Sequence, residues 1–135
     1  MHYLYYVGLD VSKETFDASL VAFEDANEMA HRKFANSRKG ICSCLHWVET
    51  RHGILLDDVI FCAKDVGSYI SEMAVCASDR TLTFNFSLIS PLVIKYSMGI
   101  ARGKTDRVDA RRIAEYAITH YRKIALYLPA EKELC

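Results

Sequence analysis

Aromatic and β-branched residues run from Tyr3 to Val11, the polar triplet Ser12-Lys13-Glu14 follows, and a second alternating run covers Thr15 to Phe23. This pattern constrains the chain more than any other, because two such runs around a short polar break predict a β-hairpin. The first run is apolar on both faces, which places its strand near the middle of a sheet. At its end stands Asp10. A carboxylate there is costly to bury unless it is paired or binds a cation. The plainer alternative is that Asp10 caps the Ser12-Lys13 turn.

The 135 residues suffice for one domain with a core that needs no disulfides. Five cysteines are odd in number and none forms a C-x-x-C pair. Four lie inside apolar periodic segments, where a free thiol packs as a small hydrophobe, so neither a disulfide frame nor a zinc site is expected. No run approaches the roughly 20 apolar residues of a membrane helix. The N-terminus enters the hairpin with neither a basic region nor a small-residue cleavage site, so a cytoplasmic protein without a membrane partner is expected. Lys and Arg total 17 against 17 Asp and Glu, which excludes a uniformly basic surface and makes the placement of charge the informative quantity.

Glu28 to Ala35 reads as a third strand, with a poor pattern. Ile41, Cys44, Leu45 and Val48 fall at helical spacing, with Ser37 as N-cap and Gly53 as C-cap. Asp58 to Ala63 is a continuous apolar run suited to a strand covered on both faces. Gly67 opens a helix to about Ser78, and the alternation from Leu82 to Leu88 predicts a half-buried strand. Ser90-Pro91 starts a short helix towards Met98, and Gly99 and Gly103 mark a loop. Three strands followed by helix, strand, helix, strand and further helices predict an α/β fold, a mixed sheet with helices packed on its faces in the order of the ribonuclease H-like fold.

Lys104 to Arg111 reads K-T-D-R-V-D-A-R and opens the last long helix, carried to about Tyr121. Ala110, Ile113, Ala114, Ala117 and Tyr121 form its core-facing stripe. At 100° per residue Asp106 falls in the middle of that stripe and Asp109 at its edge, so both carboxylates are expected to point inward. Helix-dipole stabilisation of about 0.3–1 kcal/mol explains acids in a first turn but not their inward direction. With Asp10 they are hard oxygen ligands of the kind Mg²⁺ or Mn²⁺ prefers. Phosphodiester chemistry often uses two such ions about 3.5–4 Å apart. From Lys95 to Arg112 six cations face two acids, a basic rim that suits a nucleic-acid backbone or, more plainly, a solvated helix face.

These motifs, G-L-D-V-S-K-E-T-F-D (Gly8 to Asp17), F-A-N-S-R-K-G-I (Phe34 to Ile41) with L-H-W to Trp47, V-G-S-Y (Val66 to Tyr69), S-P-L-V-I-K (Ser90 to Lys95) and K-T-D-R-V-D-A-R-R-I-A (Lys104 to Ala114), resemble the insertion-sequence 110 family of DEDD transposases and recombinases, whose relatives include pilin gene-inverting recombinases. The resemblance covers nearly the whole chain. It implies a RuvC-like N-terminal domain over residues 1–128, which binds DNA at transposon ends and target. Catalysis would use Mg²⁺ or Mn²⁺ on Asp10, Asp106 and Asp109, with Lys13, Lys104, Arg107, Arg111 and Arg112 as the nucleic-acid contacts. A homo-oligomer of the full-length protein and a guide RNA are further implications.

Two departures accompany the resemblance. The family Glu at the end of the fourth strand corresponds to Lys64 in A-K-D-V-G-S-Y, with Asp65 as the nearest acid that could complete a metal site if a bulge redirected it. A cation at Lys64 would repel metal. The family also carries a C-terminal helical domain with an attacking serine, for which residues 129–135 would be a tail or the start of a linker. A domain inactive by itself, or a DNA-binding remnant without chemistry, is therefore the second expectation. An actin-like sugar kinase or ATPase is the third, though its further Gly-rich phosphate loops are absent from the sequence.

Overall fold

The computed structural model describes residues 2–65, 67–79, 81–98 and 106–127, the helical residues 95–98 and 106–108 by their backbone alone. The hairpin forms as expected, with β1 (Tyr5–Val11) antiparallel to β2 (Thr15–Ala22), and β3 (Glu28–Ala35) continues the meander. After α1 (Arg38–His46) comes β4 (Val59–Lys64), then α2 (Ser71–Ser78), β5 (Asn85–Ile89), α3 (Pro91–Met98) and α4 (Asp106–Thr119). One five-stranded sheet results, in the order β3-β2-β1-β4-β5. β1 lies at its centre and pairs in parallel with β4, as the apolar character of both runs requires.

Alternation along β1 divides two cores. Val7, Leu9 and Val11 face a core with Ile41, Cys44 and Leu45 of α1 and Met73 and Cys76 of α2. Tyr6, with Ile60 and Cys62 of β4, faces the opposite core, where α4 contributes Ile113, Ala114 and Ala117 and α3 contributes Ile94. Helices therefore cover both faces of a mixed sheet. The cysteines at 44, 62 and 76 are buried free thiols, in keeping with their reading as hydrophobes. No helix among the described residues is long and apolar enough to cross a membrane.

Local departures from the periodicity have local causes. Ser37 caps α1 as expected, its Oγ accepting from the Gly40 N–H at 3.1 Å, but the helix closes in a wider π turn over Trp47–Arg51 before Gly53 at φ +63°. β5 begins at Asn85 rather than Leu82, because Asp79 holds a turn with its carboxylate on the Thr81 N–H and its carbonyl on the Leu82 N–H. That strand is also covered on both faces instead of one: Ser87 is buried, and Ile89 packs with Ile94. Tyr121 belongs to a 3-10 turn after α4, packed against the core as the stripe anticipates.

Candidate functional site

Antiparallel pairing sets Asp17 of β2 opposite Asp10, and Lys33 of β3 opposite Asp17. In parallel pairing Leu9 stands opposite Ala63, so the next step brings Lys64 beside Asp10. Paired residues share a face, and a single polar row Lys33–Asp17–Asp10–Lys64 therefore crosses four strands on the α4 side. The end of β1 is fixed by its turn. Ser12 donates to the Thr15 carbonyl at 2.9 Å, and the Asn36 amide donates to the carbonyls of Ser12 and Tyr69, each at 2.9 Å.

Helix α4 runs antiparallel to β1. Its middle rests on Gly8, where a Cβ would lie 1.8 Å from the Ala110 carbonyl oxygen, while Tyr121 beyond its C-terminus meets Phe23 edge to face at 5.1 Å. Phe23 in turn gives its N–H to Leu4, at the start of β1. The helix N-terminus thus lies at the Asp10 end of the strand. Asp109 is half-buried, one turn before the buried Ile113. Asp106 is the first residue of α4, one turn before Ala110, and its side chain lies outside the described residues. Below this end the face is dry: burial pushes the Tyr6 phenol up to about 12 and raises the Cys62 thiol.

Asp17 carries no role in the sequence reading, yet it is the most enclosed acid of the row. Its side chain is 4% exposed, with His31 Nε2 at 2.9 Å and Lys33 Nζ at 3.3 Å. The His31 contact lacks hydrogen-bond alignment, so it is an ion pair only when the imidazole is protonated. The hairpin register held the signal for this neighbour: a turn closed between Ser12 and Thr15 brings residue 17 beside residue 10.

The other anticipated residues are more dispersed. Asp65 lies one residue beyond the row, exposed, with its N–H on the Ile89 carbonyl at 3.0 Å. Lys13 is exposed in the hairpin turn next to Asp10, and Arg112 is half-buried on α4. Arg111 is exposed, with Nε 3.7 Å from Glu115 Oε2, a pairing worth little in water. Lys104 and the Arg107 side chain lie outside the described residues. Among the described residues no three His, Cys, Asp or Glu side chains gather as a metal site. Carboxylates are hard oxygen donors of the kind a divalent cation takes, and Asp10 and the half-buried Asp109 belong to elements that meet at this end of β1.

A family model for the DEDD transposases of insertion sequence 110, described as Transposase, matches residues 7–134. The pilin gene-inverting proteins of Moraxella bovis and Moraxella lacunata are 30% and 29% identical over 114 residues, covering 82% of this chain and 33% of each relative. The chain spans about a third of the length of these curated relatives. Among solved structures, T. thermophilus RuvC in complex with Holliday junction substrate aligns with a TM-score of 0.61 over 92% of this chain and 99% of that chain. At 12% identity this likeness is one of fold.

Proposed function

This chain belongs to the DEDD transposase family of insertion sequence 110, and from that premise we propose that it is the ribonuclease H-like, N-terminal part of a DNA transposase or site-specific recombinase. In this reading it binds DNA and cleaves a phosphodiester beside Asp10. The observation that carries the proposal is the docking of α4 on Gly8, which brings the Asp106–Asp109 turn to the Asp10 end of β1.

Asp10, Asp106 and Asp109 are the residues that would hold Mg²⁺ or Mn²⁺. When bound, the ion supplies activation of the attacking oxygen and charge neutralisation at the leaving one. Asp10 keeps its place because β1 is hydrogen-bonded on both sides at the sheet centre. The N–H groups that open α4 favour an anionic phosphate at the same end. Lys13, Lys104, Arg107, Arg111 and Arg112 supply cations for the flanking backbone. Lys64 offsets part of the negative charge of Asp10 and Asp17, which lowers the demand of the row for an external cation.

That last feature favours a second reading, a domain that binds DNA but leaves it intact unless a partner completes its site. Anisotropy titration of the full chain on duplex DNA, together with nicking of branched DNA in Mg²⁺ or Mn²⁺, separates the two. Cleavage by the parent that Asp10→Asn abolishes without weakening binding supports the first reading. Binding with no cleavage supports the second, and no binding at low salt sinks both.

A further inference from the structure

The groove between β3 and the end of α1 is lined by Arg32, Lys33, Lys39, His46 and Arg51, with no acid among its wall residues. In a chain of zero net charge this is a segregated positive surface. The groove is built rather than incidental. A Cβ at Gly40 would lie 1.8 Å from the Ala35 carbonyl oxygen, so the start of α1 is seated tightly on β3. Its floor is the buried pair Phe34 and Trp47, edge to face at 5.5 Å, with the Arg32 guanidinium 5.5 Å over the Phe34 ring.

We propose that this groove, which opens on the sheet face opposite Asp10, carries DNA backbone beyond the β3 edge, an inference that rests on the nuclease-fold reading above. Lys39 and Arg51 are twelve residues apart along α1 and its π turn, a span of about 16 Å, somewhat under the roughly 18 Å of a regular helix. That is about five phosphate steps at 3.4 Å each, a line that suits a polyanion rather than a single small anion. Lys33 joins the two surfaces. Its main chain borders the groove, while its ammonium turns to Asp17 on the α4 side, so the groove opens on the face of the sheet opposite Asp10. The cations also disfavour the other use of an open edge, addition of a strand, because charged edge residues oppose β-pairing.

The test compares the full chain with Lys39→Glu/Arg51→Glu, Lys39→Gln/Arg51→Gln and Arg111→Glu/Arg112→Glu on a 30-base-pair mixed-sequence DNA duplex, by anisotropy across a salt series, with melting curves as a check on folding. Tenfold or greater weakening by the Glu pair at low salt is expected. Loss of about two units of log–log salt slope in both groove variants is expected as well, since each removes two phosphate contacts. DNA binding by the parent that only Arg111→Glu/Arg112→Glu weakens overturns the groove and leaves the DNA-binding reading intact. Groove variants that lose affinity for an RNA duplex but not for DNA also overturn it, and a parent that binds no DNA sinks both readings.

Discussion

Gly8 of β1 lies against the backbone of Ala110 in α4, so close that a Cβ there would stand 1.8 Å from the Ala110 oxygen and 2.7 Å from the Ala114 nitrogen. This contact sets the height of α4 above the sheet, and with it the separation of the helix N-terminus from Asp10. Replacing Gly8 by Ala meets backbone, which cannot rotate aside. Gly8→Ala is expected to cost about 3 kcal/mol, the upper part of the overpacking range, read as a lower urea midpoint. A variant as stable as the parent would mean that α4 can slide without penalty and does not fix the site.

Lys64→Glu places the acid that the family resemblance implies in a row that already holds Asp10 and Asp17. Carboxylates gathered without a cation repel one another. The variant is expected to melt below the parent in chelator, and to be raised more than the parent by millimolar Mg²⁺ or Mn²⁺, because an ion bound only by the folded state stabilises it. Equal and tight metal binding by the parent, measured by calorimetric titration, would remove Lys64 as a stand-in for a cation.

Asp17 tests which of two opposed effects rules the row. Its carboxylate is nearly enclosed beside Lys33 and His31, but it also faces Asp10. Asp17→Asn is expected to lose about 1–3 kcal/mol through the uncompensated partners. Lys33→Met should lose less than about 1 kcal/mol, because half of Lys33 is in water. An Asp17→Asn variant more stable than the parent would show that repulsion from Asp10 outweighs the ion pairs.

Acid should loosen the link between α1 and α2. Asp79 accepts from the Thr81 hydroxyl and N–H and pairs with Arg38 at 2.6 Å, contacts that hold its carboxyl down to about 2 from the usual 3.8. A lowered pKa means stability that is fully present above about pH 4 and is lost as pH falls through about 2. Asp79→Asn is therefore expected to melt below the parent at pH 7 and to converge with it towards pH 2. A gap that persists unchanged at pH 2 would assign the effect to something other than the carboxylate.

The strands, the caps and the two acid-bearing motifs were legible in the sequence because they depend on neighbours a few residues away. Alternation marks β1 and β2, Ser37 reaches only to Gly40, and Gly53 needs only its own positive φ. The inward stripe of α4 was legible for the same reason, since Ala110, Ile113, Ala114 and Ala117 repeat at the period of the helix. What one dimension does not encode is how elements stack. That α4 lies antiparallel on β1, that Lys64 comes beside Asp10, and that Arg32 and Lys39 close on one groove follow from contacts between segments tens of residues apart. The weak pattern of β3 marks the same limit: an edge strand needs only Ala30 and Phe34 for the core, and its Arg32 acquires meaning only once α1 packs beside it. Local spacing determined which elements form and which faces they bury, whereas the close approach of Gly8 to Ala110, a steric fit between distant backbones, decided which charges meet.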